Sequence, residues 1–155
     1  MGIGLTLGLL IAWVLAAVAP AEASLLWTWS YSDAGISASG TLTTDDAANA
    51  DGFFPITGVL GARNGIAITA LQPAGTAIPG NEPFLVDNLI RAGGPQLTGN
   101  GFGFALADGT FANAFYADFL TPPGYREFFS APPFASGVVG PGDSERPVAF
   151  TARVP

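Results

Sequence analysis

Apolar and polar residues alternate along much of the chain. Leu25, Trp27, Trp29 and Tyr31 take one side of a period-two pattern and Leu26, Thr28, Ser30 and Ser32 the other, which predicts a strand with its large rings on one face. Ile36, Ala38, Gly40 and Leu42 against Ser37, Ser39, Thr41 and Thr43 predict a second strand. Asn64-Gly65 and Asp108-Gly109 each separate two apolar runs, the strongest short-range signal for a β-hairpin. Further strands are expected at 84–90 and 148–154, and no segment after residue 23 shows capped helical periodicity. Stretches punctuated by proline and glycine at 73–83, 93–95, 121–125 and 131–147 read as surface connections. The expected fold is one all-β domain over residues 24–155, an antiparallel β-sandwich or flattened barrel of about seven to nine strands.

The hydrophobic pattern also predicts a register for each hairpin. At the first, a three-residue loop Arg63-Asn64-Gly65 with a bulge pairs Ala62 with Ile66 and Leu60 with Ile68, whereas a two-residue loop sets Arg63 against Ile66. At the second, a tight two-residue loop pairs Leu106 with Phe111 and Phe102 with Phe115. Pairing apolar with apolar selects the longer loop first and the shorter loop second.

The first 23 residues form an apolar run ending in Ala21-Glu22-Ala23. Small-x-small is the pattern a signal peptidase cuts, so cleavage between Ala23 and Ser24 is expected. The run lacks Lys or Arg at its start, and the rival expectation is a retained span over Ile3 to Ala19, close to the ~17-residue lower limit for crossing a bilayer. Pro20 and the Ala-Glu-Ala edge favour cleavage. After removal of the leader, no membrane contact is expected.

Charge narrows the partners. The whole chain has net charge −7, and setting aside Glu22 from the 12 acidic residues leaves 11 against 5 arginines in residues 24–155. Nucleic acid and anionic lipid are therefore poor partners. Cysteine is absent, so an exported domain of this sequence depends on packing and sheet hydrogen bonds without disulfides. With 21 Gly, 13 Pro and 12 Phe, the composition joins turn formers to bulky sheet formers.

The inventory removes most catalytic mechanisms. With no His, Cys or Lys, the chain cannot build a Ser-His-Asp triad, a thiol nucleophile, a Schiff-base lysine, a P-loop or a His- or Cys-based zinc site. Paired carboxylates remain, as a glycosidase would use them. Glu82, Glu127 and Glu145 fall outside any clean strand alternation, however, and are expected to be solvated loop charges. Asp45, Asp46 and Asp51, with Asn49, supply hard oxygen ligands in one loop and are a weak calcium candidate, without the EF-hand order. Trp27, Trp29 and Tyr31 could stack on sugar rings as a ligand platform, although same-face rings on an apolar strand more often form core. No cofactor is expected.

The segments ITGVLGARNGIAI at Ile56 to Ile68, PGN at Pro79 to Asn81, LTGNGFGF at Leu97 to Phe104 and FAN at Phe111 to Asn113 occur in that order. This order resembles the exported region of PEP-CTERM proteins, the exosortase-sorted bacterial surface proteins. Such relatives continue into Val-Pro-Glu-Pro, a transmembrane helix and a basic tail, where this chain ends at Val154-Pro155, and Glu82-Pro83 replaces their Asp-Asn. The resemblance implies export from a Gram-negative bacterium and association with exopolysaccharide or extracellular matrix. It carries no catalytic residue. The expected function is thus a non-catalytic secreted or surface-associated protein whose partners are polysaccharide or other surface proteins. The alternatives are a carbohydrate-binding module and, further off, a carboxylate glycosidase.

Overall fold

The alternation at the start of the chain becomes a long hairpin. In the computed structural model, which describes residues 23–135, 137 and 139–155, β1 (Ser24–Asp33) pairs antiparallel with β2 (Ile36–Asp45), from Ser24 opposite Asp45 to Asp33 opposite Ile36. β3 (Phe54–Arg63), β4 (Ile66–Leu71), a two-residue β5 (Leu89–Ile90), β6 (Phe102–Leu106), β7 (Phe111–Ala117), β8 (Gly124–Ser130), β9 (Ser144–Pro147) and β10 (Ala149–Arg153) follow. They form one antiparallel sheet in the order β10-β1-β2-β3-β4-β6-β7-β8-β9, with β5 beside the start of β3. The expected signal peptide lies outside the described residues.

A single residue closes the circuit. Only Val148 separates β9 from β10, so one length of chain pairs first with β8, Pro147 opposite Arg126, and then with β1, Ala149 opposite Ser32. The Val148 N–H donates to the Tyr125 carbonyl at 3.1 Å across this joint. The two ends of the sheet are thereby brought together, and the all-β architecture is a flattened, nearly closed barrel. Closure leaves few free strand edges.

The inner face holds the core. Trp27, Trp29, Tyr31, Leu42, Phe102, Phe104 and Phe150 are buried there together. Trp29 meets Phe102 edge to face, with ring centroids 5.4 Å apart. Its cross-strand neighbours are Gly40 and Ala152, so a bulky ring is flanked by small residues and has room to lie over them. Rings of this kind stabilise by burial, at about 1.5–3 kcal/mol for a large apolar side chain.

Both hairpin registers differ from those the hydrophobic pattern predicts. Arg63 pairs with Ile66 and Ala62 with Ala67, so the first loop is the two-residue Asn64-Gly65, with φ +48° and +80° as a type I′ turn needs. Leu60 faces solvent at 69% exposure, opposite Thr41, and does not pair with Ile68. The reason is that Arg63 is an inward residue whose charge is met by Glu127 of β8, a partner invisible to the local pattern. At the second hairpin Ala105 pairs with Phe111 and Phe102 with Ala114. That loop has three residues, Ala107-Asp108-Gly109, with Thr110 opposite Leu106 and Gly109 left-handed at φ +82°. Here apolar residues occupy both faces of the strands, and a period-two pattern cannot choose between them.

The second apolar face has its own cover. Residues 72–88 fold back over the outside of β6 and β7, where Ile78 and Val86 are fully buried. They sit directly above Gly103, whose missing Cβ would come 2.7 Å from Ile78 Cγ2. Ile78, Phe115, Ala117 and Phe128 form a second cluster on this side. The expected strand over 84–90 is accordingly reduced to Leu89–Ile90, because Val86 bonds to the covering loop, its N–H donating to the Thr76 carbonyl. Conversely, β8 takes in residues 124–125 and β9 residues 144–147, which were expected in connections. Tyr125, Glu127 and Phe129 turn inward there, and Arg126, Phe128 and Ser130 turn outward.

Candidate functional site

Trp27, Trp29 and Tyr31 provide no platform for a ligand. All three are buried in the barrel core, where a ring cannot meet a sugar from solvent. The Trp27 Nε1–H donates to Thr44 Oγ1 at 3.0 Å, and the Tyr31 hydroxyl donates to Glu127 Oε2. Asp45, Asp46 and Asp51 do not converge either. Among the described residues no group of three or more His, Cys, Asp or Glu could hold a metal ion. Their loop is organised by Asn49, whose Oδ1 accepts the N–H groups of Asp51 and Phe53 at 3.0 and 2.9 Å. This is the ordinary backbone role of an Asx turn. Ser24 is the first residue of β1, so a cut after Ala23 leaves that strand whole.

Glu127 is not a solvated loop charge. It is wholly buried on β8, and both of its oxygens are engaged by Arg63, Nε to Oε2 at 2.7 Å and Nη2 to Oε1 at 2.6 Å. The guanidinium also lies 4.1 Å over the ring of Phe129. For Arg63, burial lowers the pKa but the hydrogen bond and charge of Glu127 outweigh it and raise the value. Tyr31 is pushed well above its usual range by burial first and by the Glu127 charge second. A saturated, enclosed triad of this kind holds the barrel together and offers no open position to a substrate.

An open concavity lies on the other side of the sheet. A cleft of about 670 Å³ runs between the loop at 80–84, the outer face of β7 and β8, and the segments that carry Phe119 and Val139. Phe115, Phe128 and Asn113 form its floor. Phe84 and Phe119 rise at its rim and remain 68% and 70% exposed. Asn81, Asn100, Glu82 and Glu145 add polar groups to an otherwise apolar lining. The Gly80 N–H donates to Glu82 Oε2 at 3.1 Å, and Glu145 lies 4.0 Å from Arg126.

One atom of the floor stands out chemically. Asn113 is 3% exposed, and its Nδ2 donates to the Asn100 carbonyl at 3.1 Å. Its Oδ1 has no hydrogen-bond partner, and among the described residues the same holds for the donor Trp29 Nε1–H and the acceptor Asn88 Oδ1, but of these three residues only Asn113 lines the cleft. A buried acceptor left without a partner costs about 1–3 kcal/mol, so such an atom favours a ligand that donates to it. The sequence does carry a trace of it, an amide amid the apolar run Phe111-Ala112-Asn113-Ala114-Phe115. Phe84 and Phe119 have no such trace, since they come from separate loops. No protein-family model, curated protein or solved structure matches this chain.

Proposed function

We propose that this protein is a non-catalytic, exported surface or matrix protein that binds polysaccharide in the cleft on the outer face of β7 and β8. The observation that carries the reading is the combination of exposed Phe84 and Phe119 with the unpartnered acceptor of Asn113. Aromatic faces pack on the apolar face of a pyranose while amide groups meet its hydroxyls, and apolar pockets with a few placed polar groups are typical small-ligand sites. The resemblance to exported PEP-CTERM regions supports the extracellular setting, as does the Ala21-Glu22-Ala23 edge of the leader.

Titration with a panel of oligosaccharides, followed by nuclear magnetic resonance, tests this reading. Shifts should concentrate on Asn81, Asn113 and Phe119, and Phe119→Ala should weaken them. A folded protein that binds no saccharide would refute it. Glu82 and Glu145 both line the cleft, which also suits the glycosidase alternative. Release of new reducing ends, abolished by Glu145→Gln, would favour that alternative.

A further inference from the structure

We infer that the chain carries a second binding site, separate from the cleft, in which Arg91 holds an oxyanion of an acidic glycan. Of the five arginines, Arg63, Arg126 and Arg146 each meet a carboxylate. Arg91 meets none within 4.0 Å among the described residues, Asp51 beside Gly52 included. Its guanidinium is nevertheless held in place. Cζ lies 4.5 Å from the centre of the buried Phe53 ring, Nε donates to the Pro95 carbonyl at 2.8 Å, and Nη2 lies 3.1 Å from where a Cβ on Gly94 would stand. These neighbours are uncharged, so the positive charge is positioned without being neutralised. Nη1 and Nη2, the end that can grip a carboxylate through two parallel bonds, make no hydrogen bond among the described residues.

The space beside the guanidinium suits a sugar unit. An open hollow of about 440 Å³ is lined by Arg91, Ala92, Gly93, Gly94, Gly52 and Phe54, so Arg91 is the one charged residue on its wall. The N–H groups of Ala92, Gly93 and Gly94 have no acceptor among the described residues, and Gly94 is left-handed at φ +67°. Successive N–H groups in a turn of this kind form a concavity that takes anions. The three glycines bring no side chain to block it, and the half-buried ring of Phe54 gives a pyranose an apolar wall. A neutral sugar would leave Arg91 without a counter-charge, whereas a carboxylate or a sulfate ester supplies acceptors to the guanidinium and the amides alike. Repulsion from the net charge of −7 is screened beyond about 8 Å at physiological salt, so contact with Arg91 decides the binding.

The experiment follows the amide resonances of Ala92, Gly93 and Gly94 during titration with three trisaccharides: one of galacturonic acid, one of sulfated glucose and one of plain glucose. An acidic oligomer should shift them to saturation, and whichever does so identifies the oxyanion as carboxylate or sulfate. The glucose oligomer should leave them in place. Arg91→Gln should weaken the acidic oligomer roughly tenfold. Gly94→Ala keeps the charge but sets a methyl group 3.1 Å from Nη2, and it should weaken binding as well while circular dichroism stays native. Three results would each overturn the site: amides unmoved by either acidic oligomer in folded wild-type protein, equal shifts with glucose, or undiminished binding by Arg91→Gln. Resonances of Asn81 and Phe119 report on the cleft in the same titration, so the two sites are judged separately.

Discussion

Arg63 on β3 and Glu127 on β8 meet inside the barrel as a two-point ion pair, 64 positions apart in sequence and closed to solvent. The pair links two strands that are not neighbours in the sheet, and Tyr31 of β1 completes it from a third. Charges taken out of water cost several kcal/mol each, which the geometry here offsets by using both carboxylate oxygens. Replacing Glu127 with Ala should therefore destabilise the protein by about 3–5 kcal/mol, because it leaves the Arg63 charge buried and unpaired. Chemical denaturation of this variant and of the double variant Arg63→Met/Glu127→Leu decides the matter. The double variant should recover most of the loss, and a single variant within about 0.5 kcal/mol of wild type would contradict the account.

Tyr31 gives the same triad a pH signature. Its folded pKa is raised, chiefly by burial, above the ordinary value near ~10. The unfolded chain therefore releases this proton first, so the stability contribution is fully present below about pH 10 and is lost as pH climbs toward the folded value. The chain has no Lys or Cys to obscure that window. Urea midpoints should fall as pH rises above ~10, and Tyr31→Phe should flatten the slope. An equal slope in Tyr31→Phe would refute the assignment.

The turn at Asn64 reaches beyond its own hairpin. With φ at +48°, Asn64 accepts the Ser37 N–H at 2.8 Å through Oδ1 and donates to the Gly35 carbonyl at 3.1 Å through Nδ2. The β3–β4 turn is thus clamped to the β1–β2 turn. Asn64→Ala should cost about 1–2 kcal/mol in thermal or urea unfolding, from the lost hydrogen bonds and the strained backbone together. Asn64→Gly keeps the backbone freedom and should cost less. A Gly variant as damaged as the Ala variant would show that the side-chain bonds dominate.

Gln96 acts as a substitute strand partner. Its Nε2–H donates to the Ala152 carbonyl at 2.7 Å and its Oε1 accepts the Ala152 N–H at 2.9 Å, closing the side of β10 that faces away from β1. Gln96→Leu should cost about 1–2 kcal/mol and speed hydrogen exchange at the Ala152 amide. Unchanged protection at that amide would show that the side chain does not hold the edge.

Period-two alternation on β1 and β2 was enough to locate both strands and the face that carries Trp27, Trp29 and Tyr31, because one side of each strand meets the core and the other meets water. The two Gly-containing turns were legible for the same kind of local reason, the need for left-handed backbone at Gly65 and Gly109. Register was not. It depended on Glu127 lying opposite Arg63 across the barrel, and on a loop at 72–88 covering the outer face of β6 and β7, and neither fact leaves a mark on the residues near the turns.

The strand that carries Glu127 was equally hidden. Tyr125, Arg126, Glu127 and Phe128 mix charge and rings on both faces, which reads as a loop until partners appear on each side. The cleft gathers residues from loops and strands between Gly80 and Glu145, with Phe84, Asn113, Phe119 and Glu145 meeting only when the sheet curls. Sequence alone determined the all-β architecture, the turn positions and the chemistry that the chain lacks, since each follows from residues within a few positions of one another or from composition. Tertiary structure decided which charge was buried, which face was covered and where a ligand could sit, because those outcomes depend on long-range partners that desolvate a group or pair with it.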